Sequence, residues 1–155
     1  FLAGSIVKTD QGDVPIENLS ENYTIDNKPI IQVTKQTCTN DKVVLIKKDA
    51  LGINKPDKDT YVTSAHKILY NNKLTKAGVL LFRLDNVTVF KANGKLIYNV
   101  LMEKHDVMTV NNLICETLKP EKRATQKNNN FFQILINYLL FYINYIINSF
   151  NNLLK

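Results

Sequence analysis

Apolar and polar residues alternate along most of the chain in a pattern typical of short β-strands. Runs rich in valine, isoleucine, threonine and aromatic residues are separated by clusters of Asp, Asn, Gly and Pro, and these turn signals recur about every 8 to 12 residues. Asn93-Gly94 is the strongest hairpin signal. Apart from a short turn of helix ending near Leu19, no helical pattern precedes residue 120, which predicts an all-β fold. The predicted strands are residues 5–9, 23–25, 30–37, 42–47, 62–70, 75–81, 86–91, 95–103 and 106–115.

The predicted strand 62–70 carries Thr63 and His66, a pair that could act on one reacting atom. Side chains alternate between the two faces of a strand, so positions three apart can converge only where the strand bends. A bent strand would present a hydroxyl and an imidazole together. The pair alone leaves the structural alternative open, in which His66 is a hydrogen-bonded histidine of an ordinary strand.

The chain changes character after residue 118. Residues 119–130 are charged and then rich in asparagine, which indicates a linker after a β domain over residues 1–118. Residues 131–154 carry no charge and are dominated by Phe, Tyr, Leu and Ile. Their polar residues recur at helical spacing, so we predict a hydrophobic α-helix with a narrow polar face over residues 131–155. The polar positions that follow this spacing are Gln133, Asn137, Asn144, Asn148 and Asn151.

This tail presents an uncharged apolar surface that must be covered. A membrane-spanning helix needs ~20 apolar residues, but the asparagines would carry amides into the hydrocarbon. A helix lying at the membrane interface, a helix packed on another protein, and a disordered or insoluble segment are the alternatives. We expect a membrane or protein partner through the segment from Phe131 to Leu154. The localisation stays open, with an intracellular, membrane-associated location among the alternatives.

The charge balance argues against a nucleic-acid partner. Lysine and arginine number 20 against 14 aspartates and glutamates, which gives a formal net charge of +6. The excess is almost all lysine, because Arg83 and Arg123 are the only arginines. Bidentate reading of bases and phosphates favours arginine, and the basic residues interleave with acidic ones. We therefore expect a solvated, lysine-rich surface and no nucleic acid.

The cysteines and the absence of known motifs exclude several kinds of site. Cys38 and Cys115 are too few for a disulfide scaffold, and we expect both to be buried free thiols. The sequence has no metal-ligand spacing, no phosphate loop and no serine-triad pattern, so we expect no metal and no cofactor. It opens with neither a secretory signal nor an initiator methionine. We expect that a polypeptide preceded Phe1.

Three segments combine small, polar and histidine residues in a fixed order within residues 1–118. The segments are Phe1-Leu2-Ala3-Gly4-Ser5-Ile6-Val7 with Thr9, Gly12, Pro15, Ile16 and Leu19; Val62-Thr63-Ser64-Ala65-His66; and Ile97-Tyr98-Asn99-Val100-Leu101 with His105 and Asn111-Asn112-Leu113-Ile114. Together they resemble the signature blocks of the Hedgehog/intein (Hint) autoprocessing domain family. The resemblance implies a horseshoe-like, all-β Hint fold, which agrees with the strand pattern.

The resemblance implies cleavage of the peptide bond at the front of the domain, so the covalently linked upstream polypeptide is the substrate. In this family a first cysteine attacks the carbonyl before it and turns the amide into a thioester. That nucleophile would stand immediately before Phe1 and is absent from this chain. Thr63 and His66 match the family pair that polarises the scissile amide and protonates the departing nitrogen. His105 matches the later histidine that assists resolution of the intermediate.

Other positions depart from the family pattern. The family aspartate of the last block falls at Asn99, whose amide cannot act as a base. Asp106 is a candidate partner of His105, with an ordinary surface carboxylate as the alternative. Glu116 and Thr117 replace the His-Asn pair with which inteins end, so the resemblance implies no splicing. It implies cleavage at the front end only, after which the thioester passes to water or another nucleophile.

The alternative is a non-catalytic β module whose C-terminal helix binds a membrane or a partner. The three segments would then be inherited scaffold. Liposome flotation with and without residues 131–154, together with a cleavage assay, separates the two hypotheses.

Overall fold

Short antiparallel strands dominate the computed structural model, which describes residues 1–38 and 42–120. One short α-helix (α1, Ala77–Leu80) and one 3-10 helix (Ile16–Asn18) interrupt them. No helix in these two ranges has the length and apolarity needed to cross a membrane. The all-β prediction is confirmed, while the predicted hydrophobic helix over residues 131–155 lies outside the described residues. The strands are β1 Ile6–Thr9, β2 Gly12–Pro15, β3 Thr24–Ile25, β4 Lys28–Thr37, β5 Lys42–Ile46, β6 Thr60–Val62, β7 Lys67–Tyr70, β8 Lys73–Lys76, β9 Val87–Lys91, β10 Leu96–Met102, β11 Val107–Val110 and β12 Leu113–Glu116.

Within residues 1–38 and 42–120 the strands form three sheets. The largest has the order β2-β1-β11-β12-β7-β8, and the two smaller ones have the orders β10-β4-β3 and β6-β5-β9. The largest sheet joins the start of the domain to its end, because Val7 of β1 lies opposite Val110 of β11. It then reaches the middle of the chain, since Cys115 of β12 lies opposite Ile68 of β7. This order brings the three sequence segments into one region.

The predicted strand 62–70 is broken by a tight turn. β6 ends at Val62, and the Thr63 carbonyl accepts a hydrogen bond from the His66 N–H at 3.1 Å. The chain then continues as β7, which belongs to a different sheet. The prediction of one continuous strand was wrong because polar Thr63 and Ser64 allow a turn that the flanking apolar pattern conceals. The turn supplies the bend that the pair of Thr63 and His66 requires.

The predicted strand 75–81 is also wrong in its second half, where α1 follows β8. The helix begins on the turn just described, because Ala77 N–H donates to His66 O at 2.8 Å and Gly78 N–H donates to Ser64 O at 2.9 Å. A Cβ added to Gly78 would lie 3.2 Å from the Ser64 oxygen. Glycine therefore permits the close backbone contact that holds the turn in place.

The first two residues of the chain are anchored in both apolar clusters. Phe1 belongs to the main cluster, which includes Cys115, and Leu2 belongs to a smaller one, which includes Cys38. Both cysteines are free and buried, as predicted. Burial of large apolar side chains at the very start of the domain ties the position of the amino terminus to the folding of the core.

Asn111 connects β1 to the start of β6. It is buried, its Oδ1 accepts the Ile6 N–H at 2.7 Å, and its Nδ2 donates to Thr60 Oγ1 at 2.9 Å. Asn111 and Asn112, which interrupt the predicted strand 106–115, form a turn that divides it into β11 and β12, with positive φ values of 45° and 60°. Position 111 requires a positive φ and a side chain that both donates and accepts a hydrogen bond. Asparagine fits, since it tolerates a left-handed backbone and offers a donor and an acceptor.

Replacing Asn111 by glycine tests this connection without changing the backbone requirement. Asn111→Gly keeps the positive φ but leaves the Ile6 N–H and the Thr60 hydroxyl without their buried partner, so we expect a loss of about 2–4 kcal/mol in the free energy of unfolding. Asn112→Gly is the matched control, because its exposed side chain loses a single bond to Asn54 O. Urea denaturation of the two variants measures the difference. Equal losses would contradict the structural role of Asn111.

Candidate active site

The first two residues form a short strand segment between β10 and β6. The Phe1 nitrogen donates to Tyr98 O, and Tyr98 N–H donates to Phe1 O, each at 2.8 Å. Leu2 lies opposite Ile97, and its N–H donates to Tyr61 O at 3.2 Å. The side chain of Phe1 is 1% exposed. The Phe1 nitrogen therefore makes the bond that the N–H of an internal strand residue would make.

The strand register locates the group that would be joined to the Phe1 nitrogen. Because Phe1 lies opposite Tyr98, the next position towards the amino end falls opposite Asn99. Beyond Asn99 the same edge of β10 is occupied by Leu118, whose N–H donates to Val100 O at 2.7 Å. A preceding polypeptide would consequently have to leave the sheet edge at Asn99.

The turn after β6 places His66 against this terminus. The rings of Phe1 and His66 meet edge to face, with centroids 4.7 Å apart and planes at 71°. Thr63 is half-buried at the start of the same turn. His66 and the amino terminus thus lie together, although they are far apart in sequence, and Thr63 stands at the start of the same turn.

His66 is a buried imidazole with one nitrogen that has no partner. Its side chain is 6% exposed, and among the described residues its Nε2 makes no hydrogen bond. An unpaired buried polar atom costs about 1–3 kcal/mol. Nε2 is thus the atom best placed to bind an N–H brought to the site.

The charge state of His66 follows from its surroundings. The pKa of His66 is lowered to about 4. Burial is the largest cause, and the positive charge of the amino terminus is the second. The Glu116 charge and its backbone hydrogen bond act in the opposite direction. The imidazole is accordingly neutral at physiological pH and can accept a proton only when a reaction supplies it next to the ring.

The amino terminus is also poorly suited to charge. Burial lowers the pKa of the Phe1 amine from 8.0 to about 5, and the nearby Cys115 opposes this effect. A charged ammonium loses its water when it is buried, whereas a peptide nitrogen has no charge to desolvate. The position therefore favours an amide nitrogen over a free ammonium.

Glu116 connects both histidines. Its Oε1 accepts the N–H of Lys67, the residue after His66, at 3.2 Å, and its Oε2 lies 3.2 Å from His105 Nε2. The Lys67 ammonium is 3.7 Å from the same oxygen. His105 is exposed and does not touch Phe1 through any described contact. Its connection to the site is the contact with Glu116.

Two further predicted residues have other partners. Asn99 is half-buried next to Tyr98, and its Oδ1 accepts the N–H of Val100 at 3.0 Å. Asp106 forms an ion pair with Lys28 and accepts the N–H of Val107 at 2.8 Å. The hydrogen bond from Lys28 holds the pKa of Asp106 below its ordinary value. The structure thus pairs His105 with Glu116 and leaves Asp106 in a surface ion pair.

Sequence reasoning missed Glu116, which was noted only as a departure from a family motif. Its contact with Lys67 depends on the pairing of β12 with β7, two strands far apart in the chain.

Cys115 is a poor nucleophile, because complete burial raises the pKa of its thiol and disfavours the thiolate. Within residues 1–38 and 42–120, no group of His, Cys, Asp and Glu is arranged to hold a metal ion.

The fold and the buried terminus define an all-β, intein-like domain. The family profile described as "Hint domain" matches residues 1–122, and the chain therefore belongs to the Hint domain family, as the three sequence segments predicted. The solution structure of a bacterial intein-like domain from Clostridium thermocellum is similar, with a TM-score of 0.60 over 76% of this chain and 97% of that one. At 15% identity this likeness concerns the fold alone. A search of the curated proteins found no significant match.

The buried neutral state of His66 predicts a loss of stability in acid. An unfolded histidine takes up its proton near pH 6.5, whereas folded His66 does so only near pH 4, so its contribution is complete above pH 6.5 and is lost as the pH falls from 6.5 through 4. The full effect is about 3 kcal/mol. Urea denaturation across this range should show a shallower pH dependence for His66→Gln than for the parent chain. Identical slopes would contradict a buried neutral imidazole.

The charge at the amino terminus should affect the pKa of His66. Adding one alanine before Phe1 converts the Phe1 amine into an amide and moves the positive charge that lowers the pKa of His66 one residue further along the chain. We expect the pKa of His66 to rise above about 4 and to stay below 6.5, because burial is the larger cause. The imidazole resonances in a pH titration by NMR measure it. An unchanged or lowered pKa would show that the terminus does not face the ring.

Proposed function

We propose that this chain is the self-processing domain of a larger precursor and cleaves the peptide bond at its own amino-terminal junction. The nucleophile is a cysteine immediately before Phe1, and the substrate is the polypeptide joined to it. The observation that carries the proposal is the buried Phe1 nitrogen, which is held as a strand N–H while the Phe1 ring packs on His66, whose Nε2 has no partner. Membership of the Hint domain family supports it.

The first step is an N-to-S acyl shift. The cysteine sulfur attacks the carbonyl carbon of the residue before it, a C–S bond forms, the C–N bond breaks, and the departing nitrogen gains a proton. Amide resonance makes this step difficult, since rotation about the bond alone costs ~18–20 kcal/mol. A reacting group and amide in one chain need no encounter, which supplies a large effective molarity.

His66 delivers the proton in this proposal. The register places the junction opposite Asn99, beside the turn that carries His66 and Thr63. Nε2 accepts the hydrogen of the scissile amide in the ground state, takes the thiol proton and passes it to the departing nitrogen. Thr63 assists by hydrogen-bonding and polarising the amide. The neutral resting state of His66 suits an acceptor.

The second step resolves the thioester without splicing. Release of a downstream segment would need a side-chain amide that cyclises, and Thr117 has none. Thr117 is also buried, with its hydroxyl accepting the Asp106 N–H at 2.9 Å. The thioester passes to water or another nucleophile with the assistance of His105, and the upstream polypeptide is released.

A reporter fusion tests the proposal. A small folded reporter is joined through a cysteine to Phe1 of the full chain, and cleavage is followed by gel and by the mass of the released reporter, with and without dithiothreitol. We expect cleavage at the junction that thiol accelerates, and His66→Ala should slow it by about 10²–10⁴-fold, the usual contribution of a general acid or base.

Two controls make the result specific. Alanine in place of the junction cysteine must abolish cleavage, and an amide NMR spectrum must show that each variant is folded. A folded precursor that stays intact for days, with or without thiol, would overturn the proposal.

A further inference from the structure

We propose that Glu116 is the positioning residue that holds the His66 turn and His105 in one arrangement. This inference rests on the self-cleavage proposed above and assigns a role to a residue that departs from the motif of inteins. Glu116 is not proposed to touch the reacting atoms. Its action on the reaction is indirect, through the two histidines that it binds.

Three contacts fix the Glu116 carboxylate. Oε1 accepts the Lys67 N–H at 3.2 Å, while Oε2 lies 3.2 Å from His105 Nε2 and 3.7 Å from the Lys67 ammonium. The Glu116 side chain is 14% exposed, against 32% for His105 and 33% for Lys67. The carboxylate is therefore the least exposed member of the cluster and the one that its neighbours surround.

Glu116 acts on His66 through the turn and through its charge. Its carboxylate accepts the peptide N–H that follows His66, and this contact fixes the end of the turn from which the ring projects. In the proposed reaction Nε2 faces the junction, so a small rotation of the turn would move it away from the reacting atoms.

No other carboxylate among the described residues shares this role. Asp106, the predicted partner of His105, is engaged by Lys28 and by the Val107 N–H. The charged and titratable groups that act on His66 are the Phe1 amine, Glu116 and His105, and the ammonium of Lys67 lies against the same carboxylate. Glu116 is the negative member of this group, so its charge favours the imidazolium that forms during proton transfer.

Matched substitutions in the cysteine-bearing reporter precursor test the inference. Glu116→Gln keeps an oxygen for the Lys67 N–H but loses the charge facing His105, whereas Glu116→Ala removes both. We expect Glu116→Ala to slow cleavage by on the order of 10²-fold, the scale of a misplaced catalytic group, and Glu116→Gln to slow it less. Glu103→Gln is the control, because it removes an exposed charge from the loop before His105 and should leave the rate unchanged.

A second measurement does not depend on cleavage. In the full chain preceded by alanine, NMR follows the Lys67 amide, the His105 ring nitrogen and the titration of His66. Both nitrogen signals should move in Glu116→Ala, and the pKa of His66 should be lower in Glu116→Gln than in the parent, because the charge that raises it is gone. Glu103→Gln should change none of them.

The outcomes separate the two proposals. Parent-like rates in both Glu116 variants would overturn the positioning role, as would unmoved signals of Lys67 and His105. If the parent precursor itself fails to cleave, the self-cleavage proposal fails, and the NMR signals alone decide whether Glu116 organises the two histidines.

Discussion

The paired hydrogen bonds between Phe1 and Tyr98 hold the amino terminus where the rest of the site needs it. They add Phe1 to the edge of β10, and the contact of Leu2 with Tyr61 ties the same segment to β6. Both side chains are buried in apolar clusters. A terminus would normally fray, since a few exposed residues gain too little from ordering. Here burial and strand pairing together outweigh that entropy.

Burial of the terminus also decides its chemistry. An amine and an imidazole close together in a dry environment both prefer to be neutral, and this is why the pKa values of Phe1 and His66 fall to about 5 and 4. A peptide nitrogen at the same place carries no charge and can use the same bond to Tyr98.

The site draws on all three sheets, and each contributes a different element. β10 receives the terminus, β6 leads into the turn of Thr63 and His66, and β12 of the largest sheet supplies Glu116. The backbone contact of Gly78 with Ser64 and the buried amide of Asn111 hold these pieces in register.

Strand periodicity and turn residues were enough to predict an all-β domain, because alternation reports local burial and Asn or Gly reports local backbone geometry. The ordered segments around Phe1, His66 and His105 were enough to predict the Hint family, which the family profile confirms. The break between β6 and β7 was not predicted, because the apolar residues on both sides concealed a local turn at Thr63 and Ser64. The helix α1 was not predicted either, since its start depends on hydrogen bonds to that turn.

Tertiary structure also decided which carboxylate contacts His105. Asp106 is its neighbour in sequence, yet Lys28 from β4 engages Asp106, and the hairpin of β11 and β12 brings Glu116 to His105 instead. A linear pattern records which groups a chain carries and which face of a strand they occupy. It does not record which distant strands meet, and in this domain such meetings pair Lys28 with Asp106 and Lys67 with Glu116.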